Sequence, residues 1–136
     1  MDIVFQFGQL KVFASLNQSK TAKAILEGLP IKSKVSRWGD EIYFSIPQKL
    51  NSETTTLNVS IGDLAYWPEG SCLCLFFGKT PVSVDDCPRP ASEVNLIGTF
   101  KTSPDVLRQV SSGTTVQVLK TSLFQLSPSK NLQKSI

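Results

Sequence analysis

The chain has 136 residues, 40% of them hydrophobic and 18% charged, which is the profile of one globular domain whose core needs neither disulfide nor metal. Most of its net charge of +3 sits in the C-terminal tail, where Lys130 and Lys134 stand with no acidic residue after Lys120, so no basic face for nucleic acid is expected. It contains no histidine, which excludes Ser–His and Cys–His nucleophile pairs and any imidazole acid–base step.

The opening residues MDIVFQF have no basic n-region and no small-residue cleavage site, so no signal peptide is expected and the protein is assigned to the cytoplasm. Ile3, Phe5 and Phe7 alternate with Val4 and Gln6, Gly8-Gln9 is a two-residue turn, and Leu10, Val12, Ala14 and Leu16 resume the alternation. This is an N-terminal hairpin. Asn17-Gln18-Ser19 offers capping side chains, and Ala22, Ile25, Leu26 and Leu29 then follow helical spacing until Gly28 and Pro30 stop the helix. Residues 31–37 (IKSKVSR) form a polar strand near an edge, where Lys32 and Lys34 discourage strand addition. Trp38-Gly39-Asp40 breaks it, and Ile42, Phe44 and Ile46 mark the next strand, ended by Pro47. Leu57, Val59 and Ile61 predict a half-exposed strand before Gly62.

The stretch GDLAYWPEGSCLCLFFG (Gly62–Gly78) predicts two short strands joined by a turn at Glu69-Gly70. In its second half Leu73, Leu75 and Phe77 share one face, and Cys72, Cys74 and Phe76 share the other. Both faces are apolar, so one fills the core while the other lies under a covering segment or lines a groove. The apolar run is far too short to span a bilayer. Cys72 and Cys74, two apart on a strand, have poor geometry for bonding each other, and reduced buried thiols are expected. A metal site built on these two and Cys87 would lack a fourth soft ligand, so neither metal nor cofactor is expected. Lys79–Ser92, interrupted by Pro81, Cys87, Pro88 and Pro90, predicts a long surface loop. Val94, Leu96 and Phe100 predict a further strand, with Ile97 on its other side. Ser103-Pro104-Asp105 opens a second helix that runs through Leu107 and Val110 to Gly113, and Val116 and Val118 mark the last strand. From Ser127 the polar SPSKNLQKSI is expected to be disordered. The domain limits follow as 1–122 for a barrel and 123–136 for a tail.

Four blocks together, RWGDEIYF (Arg37–Phe44), GDLAYWPEG (Gly62–Gly70), LFFGKTP (Leu75–Pro81) and PASEVNLIG (Pro90–Gly98), are similar to a small prokaryotic cyclophilin-like family of uncharacterised function. NQSKTAKAILEGLP (Asn17–Pro30) resembles the cyclophilin first-helix segment. The resemblance implies a mainly β, closed eight-stranded antiparallel barrel with a short helix capping each end. Cyclophilins isomerise X-Pro bonds in a groove on the outside of the barrel, where an arginine acts on the prolyl amide and phenylalanines shape the pocket. Carried over to this chain, Phe77 falls on the groove phenylalanine, Phe76 on the core-facing one, Leu75 on a groove glutamine and Arg37 on the arginine. The groove histidine has no counterpart.

The candidate groove is thus Arg37, Trp38, Glu41, Tyr43, Trp67, Leu75 and Phe77, with Glu41 and Tyr43 placed on the face of Arg37 by alternation along the chain. Several have a plainer reading beside the functional one. Arg37 is an anchoring cation or a strand-end residue paired with Asp40 or Glu41. Tyr43 lines a concavity or packs under a loop. Of Tyr66 and Trp67 one is core and the other rim, and Phe77 lines the groove or simply packs. Three functions remain open: a module binding a peptide or small ligand, a weak peptidyl-prolyl isomerase, and a protein acting through its surface alone. The oligomeric state is left open.

Overall fold

A computed structural model of the chain describes residues 2–121; the disordered tail expected over 123–136 lies outside the described residues. The strands are β1 (Asp2–Phe7), β2 (Leu10–Leu16), β3 (Ile31–Lys34), β4 (Ser36–Arg37), β5 (Glu41–Ser45), β6 (Thr55–Thr56), β7 (Asp63–Trp67), β8 (Cys72–Phe76), β9 (Val94–Phe100) and β10 (Thr115–Lys120). The helices are α1 (Lys20–Glu27) and α2 (Pro104–Leu107). Among these residues no helix is long and apolar enough to cross a membrane.

Every pairing is antiparallel, in the order β3-β10-β1-β2-β9-β7-β8-β5-β4, with β6 attached to β9. The two ends of that path are consecutive pieces of one segment. Its first half pairs with β10, Val35 still bonds Gly113 and Thr114, and its second half turns to pair with β5. The sheet therefore nearly closes into a barrel, which removes the edges that an open sheet would expose. Nine strands lie on the path where eight were expected, because the predicted strand 31–37 breaks at Val35 as it changes partner.

The interior is filled by the alternate residues that the sequence marks as apolar. Phe5 stacks on Phe7 with ring centroids 6.2 Å apart and meets Phe44 edge-on at 6.1 Å; such pairs add to the transfer energy of burial. One end of the interior finishes at Tyr66, whose hydroxyl donates to the Gln48 carbonyl and accepts from the Leu50 N–H, beside α1. Ser19 caps α1, and the Glu53 carboxylate accepts from the Lys20 and Thr21 N–H groups, so its first turn is satisfied from two sides. The other end finishes at Phe77, with Leu107 and Val110 packed into the same core.

Three predicted elements differ. Residues 57–61 form no strand: Val59 is buried against the outside of the barrel, but only Thr55–Thr56 pairs, and Ile61 is exposed. The second helix ends at Leu107, after which Gln109 and Val110 bond three residues back in tighter turns. On β9, Leu64 of β7 faces Gly98 while Ala65 faces Leu96, leaving Ile97 as a bulge. The extra residue resets the alternation, so Ile97 and Phe100 both point inward while Val94 and Leu96 point out.

Candidate functional site

The seven candidate residues separate into two sets, and the hairpin between β4 and β5 is the reason. Trp38 and Glu41 exchange backbone hydrogen bonds of 3.0 and 3.2 Å across Gly39-Asp40, and Arg37 lies opposite Ile42. Directly opposed residues share a face, so Arg37 goes inward with Ile42, while Trp38 goes outward with Glu41 and Tyr43. Counting by twos along the chain through the turn assigns Arg37 to the wrong side. Gly39 makes the turn: its φ is +60°, and an added Cβ would stand 2.8 Å from the Lys79 carbonyl.

Arg37 and Phe77 do meet, but at the inner end of the barrel. The guanidinium lies 5.1 Å from the Phe77 ring centroid, and Phe77 is buried in the interior cluster with Leu73 and Leu75. All five guanidinium N–H groups are engaged: Nε and Nη2 donate to the Gly39 carbonyl, Nη1 to the carbonyls of Arg108 and Val110, and Nη2 also to Asp40. Asp40 accepts from Arg108 on its other oxygen at 2.9 and 3.1 Å. Arg37 thus ties the β4–β5 turn to the end of α2 and has no donor left for a prolyl amide. Leu75, opposite Ile42 and Leu64, is interior as well. Of the phenylalanine pair it is Phe76 that points outward and Phe77 that fills the core, the reverse of what the cyclophilin resemblance implies.

On the outside of the same strands is a pocket of about 250 Å³, lined by Trp38, Glu41, Tyr43, Trp67, Cys74, Pro90, Ala91 and Val94. It brings together the other four predicted residues. Trp67 forms one wall, its indole N–H donating to the Ser92 hydroxyl at 2.6 Å and its ring lying against Gly70, where a Cβ would collide with it. Opposite, Glu41 and Tyr43 project from β5 and Trp38 from the turn that precedes it. The 79–92 loop closes the site from above. It is held in shape by its own hydrogen bonds, Thr80 N–H to the Ser83 hydroxyl at 2.9 Å and the Ser83 hydroxyl to the Cys87 carbonyl at 2.8 Å, and it delivers Pro90 and Ala91 to the rim.

Glu41 is the acidic group of this pocket, and its surroundings alter its chemistry. It is 6% exposed, its carboxyl meets the Cys74 thiol, and among the described residues no cation forms an ion pair with it. Burial raises its pKa to about 7, so the carboxyl exchanges its proton near neutrality. Burial, with Glu41 nearby, also pushes the Cys74 thiol well up and Cys72 up, which keeps both protonated and poor nucleophiles. All three cysteines are free, and the described residues hold no group of side chains suited to a metal.

Sequence reasoning did not include Cys74, Pro90, Ala91 and Val94. For Cys74 the signal was present, since it lies opposite Tyr43 once the β5–β8 register is known. The loop residues reach the site only through the tertiary path of a segment without regular structure.

Residues 1–119 match a family model described as cyclophilin-like. The solution structure of the hypothetical protein AF2241 from Archaeoglobus fulgidus is 40% identical, with a TM-score of 0.76 over 88% of this chain and 94% of that one. McbB in complex with tryptophan is similar in fold, with 13% identity and a TM-score of 0.63 over 98% of this chain and 46% of that one. No curated protein matches the chain.

Proposed function

This chain belongs to the cyclophilin-like family, and from that premise we propose that it is a binding module whose outer pocket holds a small ligand or one side chain of a peptide. The observation that carries the reading is that Trp38, Tyr43 and Trp67 line one pocket with the buried carboxyl of Glu41, which has no ion-pair partner among the described residues. A concave apolar site with one polar group of altered pKa is what ligand recognition requires. Trp67 is locked by Ser92 and Gly70 before anything binds, so little conformational entropy is lost when it does. At about 250 Å³ the pocket suits a ligand below drug size. The three free thiols support a reducing, cytoplasmic setting for this activity.

The test is a screen of small aromatic, amide and amine fragments followed by amide and indole NMR shifts. Shifts clustered on Trp38, Glu41, Tyr43 and Trp67 are expected. Shifts spread over the surface, or a second cluster elsewhere, would transfer the function to another face.

A further inference from the structure

Resting on the outer pocket as a ligand site, we infer that its ligand class is an organic ammonium ion, with Glu41 as the counter-charge and the rings of Trp38, Tyr43 and Trp67 as the cage. Three observations converge on it. Glu41 is nine-tenths buried, lines the cavity and has no cationic partner among the described residues. A carboxylate in that position lacks the counter-ion that buried charges ordinarily have, and a ligand can supply it. The remaining lining is aromatic or apolar, and aromatic rings attract a cation through their π-faces while tolerating its methyl or methylene hull. The nearby arginine gives no substitute, since Arg37 points to the inner face and is fully engaged there.

Competing chemistries fit less well. An anion would meet the Glu41 charge with no basic residue among the described lining residues to offset it. An inorganic divalent ion needs about six oxygen donors, and among the described residues Glu41 is the one carboxylate lining the pocket. A purely apolar ligand would seal Glu41 from water without compensating it. An ammonium carrying its own apolar substituents satisfies the carboxylate and the rings at once.

The groups facing Glu41 leave its proton as the one that moves. Tyr43 stands on its own strand, and Cys74 and Cys72 face it from β8 with thiols held protonated. β7 brings Trp67, and the 79–92 loop brings Pro90 and Ala91, none of them ionisable. Binding the cation favours the Glu41 carboxylate and releases its proton to solvent.

Choline and its neutral isostere 3,3-dimethylbutan-1-ol make the comparison, titrated calorimetrically and by tryptophan fluorescence between pH 5.5 and 8.5. Choline should bind at least about tenfold more tightly than the isostere at pH 8. That preference should fall as pH drops below 7, by at most about tenfold per unit, towards the part the rings supply, while the isostere's affinity stays flat. Glu41→Gln should cut the preference to the part the rings alone supply and remove its pH dependence, and the two-ligand comparison in the wild type decides the matter even without the variant. Equal binding of the two probes, or a preference unchanged in Glu41→Gln, overturns the ammonium inference and leaves the pocket as a ligand site. Binding of indole or phenol in the pocket without choline has the same meaning. If no fragment at all shifts Trp38, Tyr43 or Trp67, the pocket reading falls and the ammonium inference with it.

Discussion

Arg37 and Glu41 stand four residues apart on one hairpin, and the barrel wall divides them into opposite regimes. On the inner side Arg37 spends every donor on backbone carbonyls and Asp40, above a ring that no water reaches. On the outer side Glu41 is buried more deeply, and among the described residues its carboxyl meets the Cys74 thiol and the pocket. A charge whose hydrogen bonds are complete maintains the structure, whereas one buried without a counter-ion is available to a ligand. The paired strands β4 and β5 carry one each, so stability and binding are expected to separate by face.

Phe77→Ala should give the largest separation. Removing a fully buried ring from the end of the core is expected to cost about 4 kcal/mol in denaturant unfolding, with fragment binding in the outer pocket unchanged for the protein that remains folded. Loss of binding at equal folded fraction would break the division between the faces.

Glu41→Gln should move stability the other way. Burial raises the carboxyl from 4.5 to about 7. The folded state then holds the proton more tightly than the unfolded state, so stability falls as pH rises from about 4.5 to 7 and levels off above. The variant has no such slope, and at pH 8 it should recover on the order of 3 kcal/mol relative to its difference from wild type at pH 4. Parallel unfolding curves at both pH values would mean that Glu41 is solvated in solution.

Arg37→Ala leaves the carbonyls of Gly39, Arg108 and Val110 without their donor and is expected to cost about 2 kcal/mol. Arg37→Lys should restore little, since an ammonium cannot reproduce the planar fork. Ligand affinity should follow neither variant, by fluorescence titration at a temperature where both are folded. The smallest effect belongs to Trp67→Phe. Loss of the bond to Ser92 should lower stability by about 1 kcal/mol and weaken probe binding measurably, because the wall is no longer held in place. Binding by the Trp67→Phe variant as tight as that of wild type would assign the wall to shape alone.

Much of the fold was legible. The β1–β2 hairpin, the capped α1, the strand pair around Glu69-Gly70 and the unpatterned 79–92 loop all stand where alternation, capping residues and proline spacing put them. The misses have local causes. Leu57–Ile61 alternates like a strand, yet Val59 is buried from outside the barrel and the segment finds no partner to complete a ladder. Helix α2 has good capping at Ser103 and Pro104, but four residues are enough to bring Leu107 and then Val110 to the core.

The candidate site was half legible, and the division is instructive. The seven residues read as one groove divide in the structure: Trp38, Glu41, Tyr43 and Trp67 line the outer pocket, whereas Leu75 and Phe77 lie in the interior and Arg37 sits over Phe77 at its end. The pattern of side chains along β8 established two apolar faces, Leu73-Leu75-Phe77 and Cys72-Cys74-Phe76, without saying which one turns inward. Alternation is a relation between neighbours in the chain and is symmetric under exchange of the two faces. That symmetry is broken only by contacts distant in sequence: the closing of segment 31–37 onto β10 and β5, the cross-turn pairing that sends Arg37 in and Glu41 out, and the loop laid over the outer face.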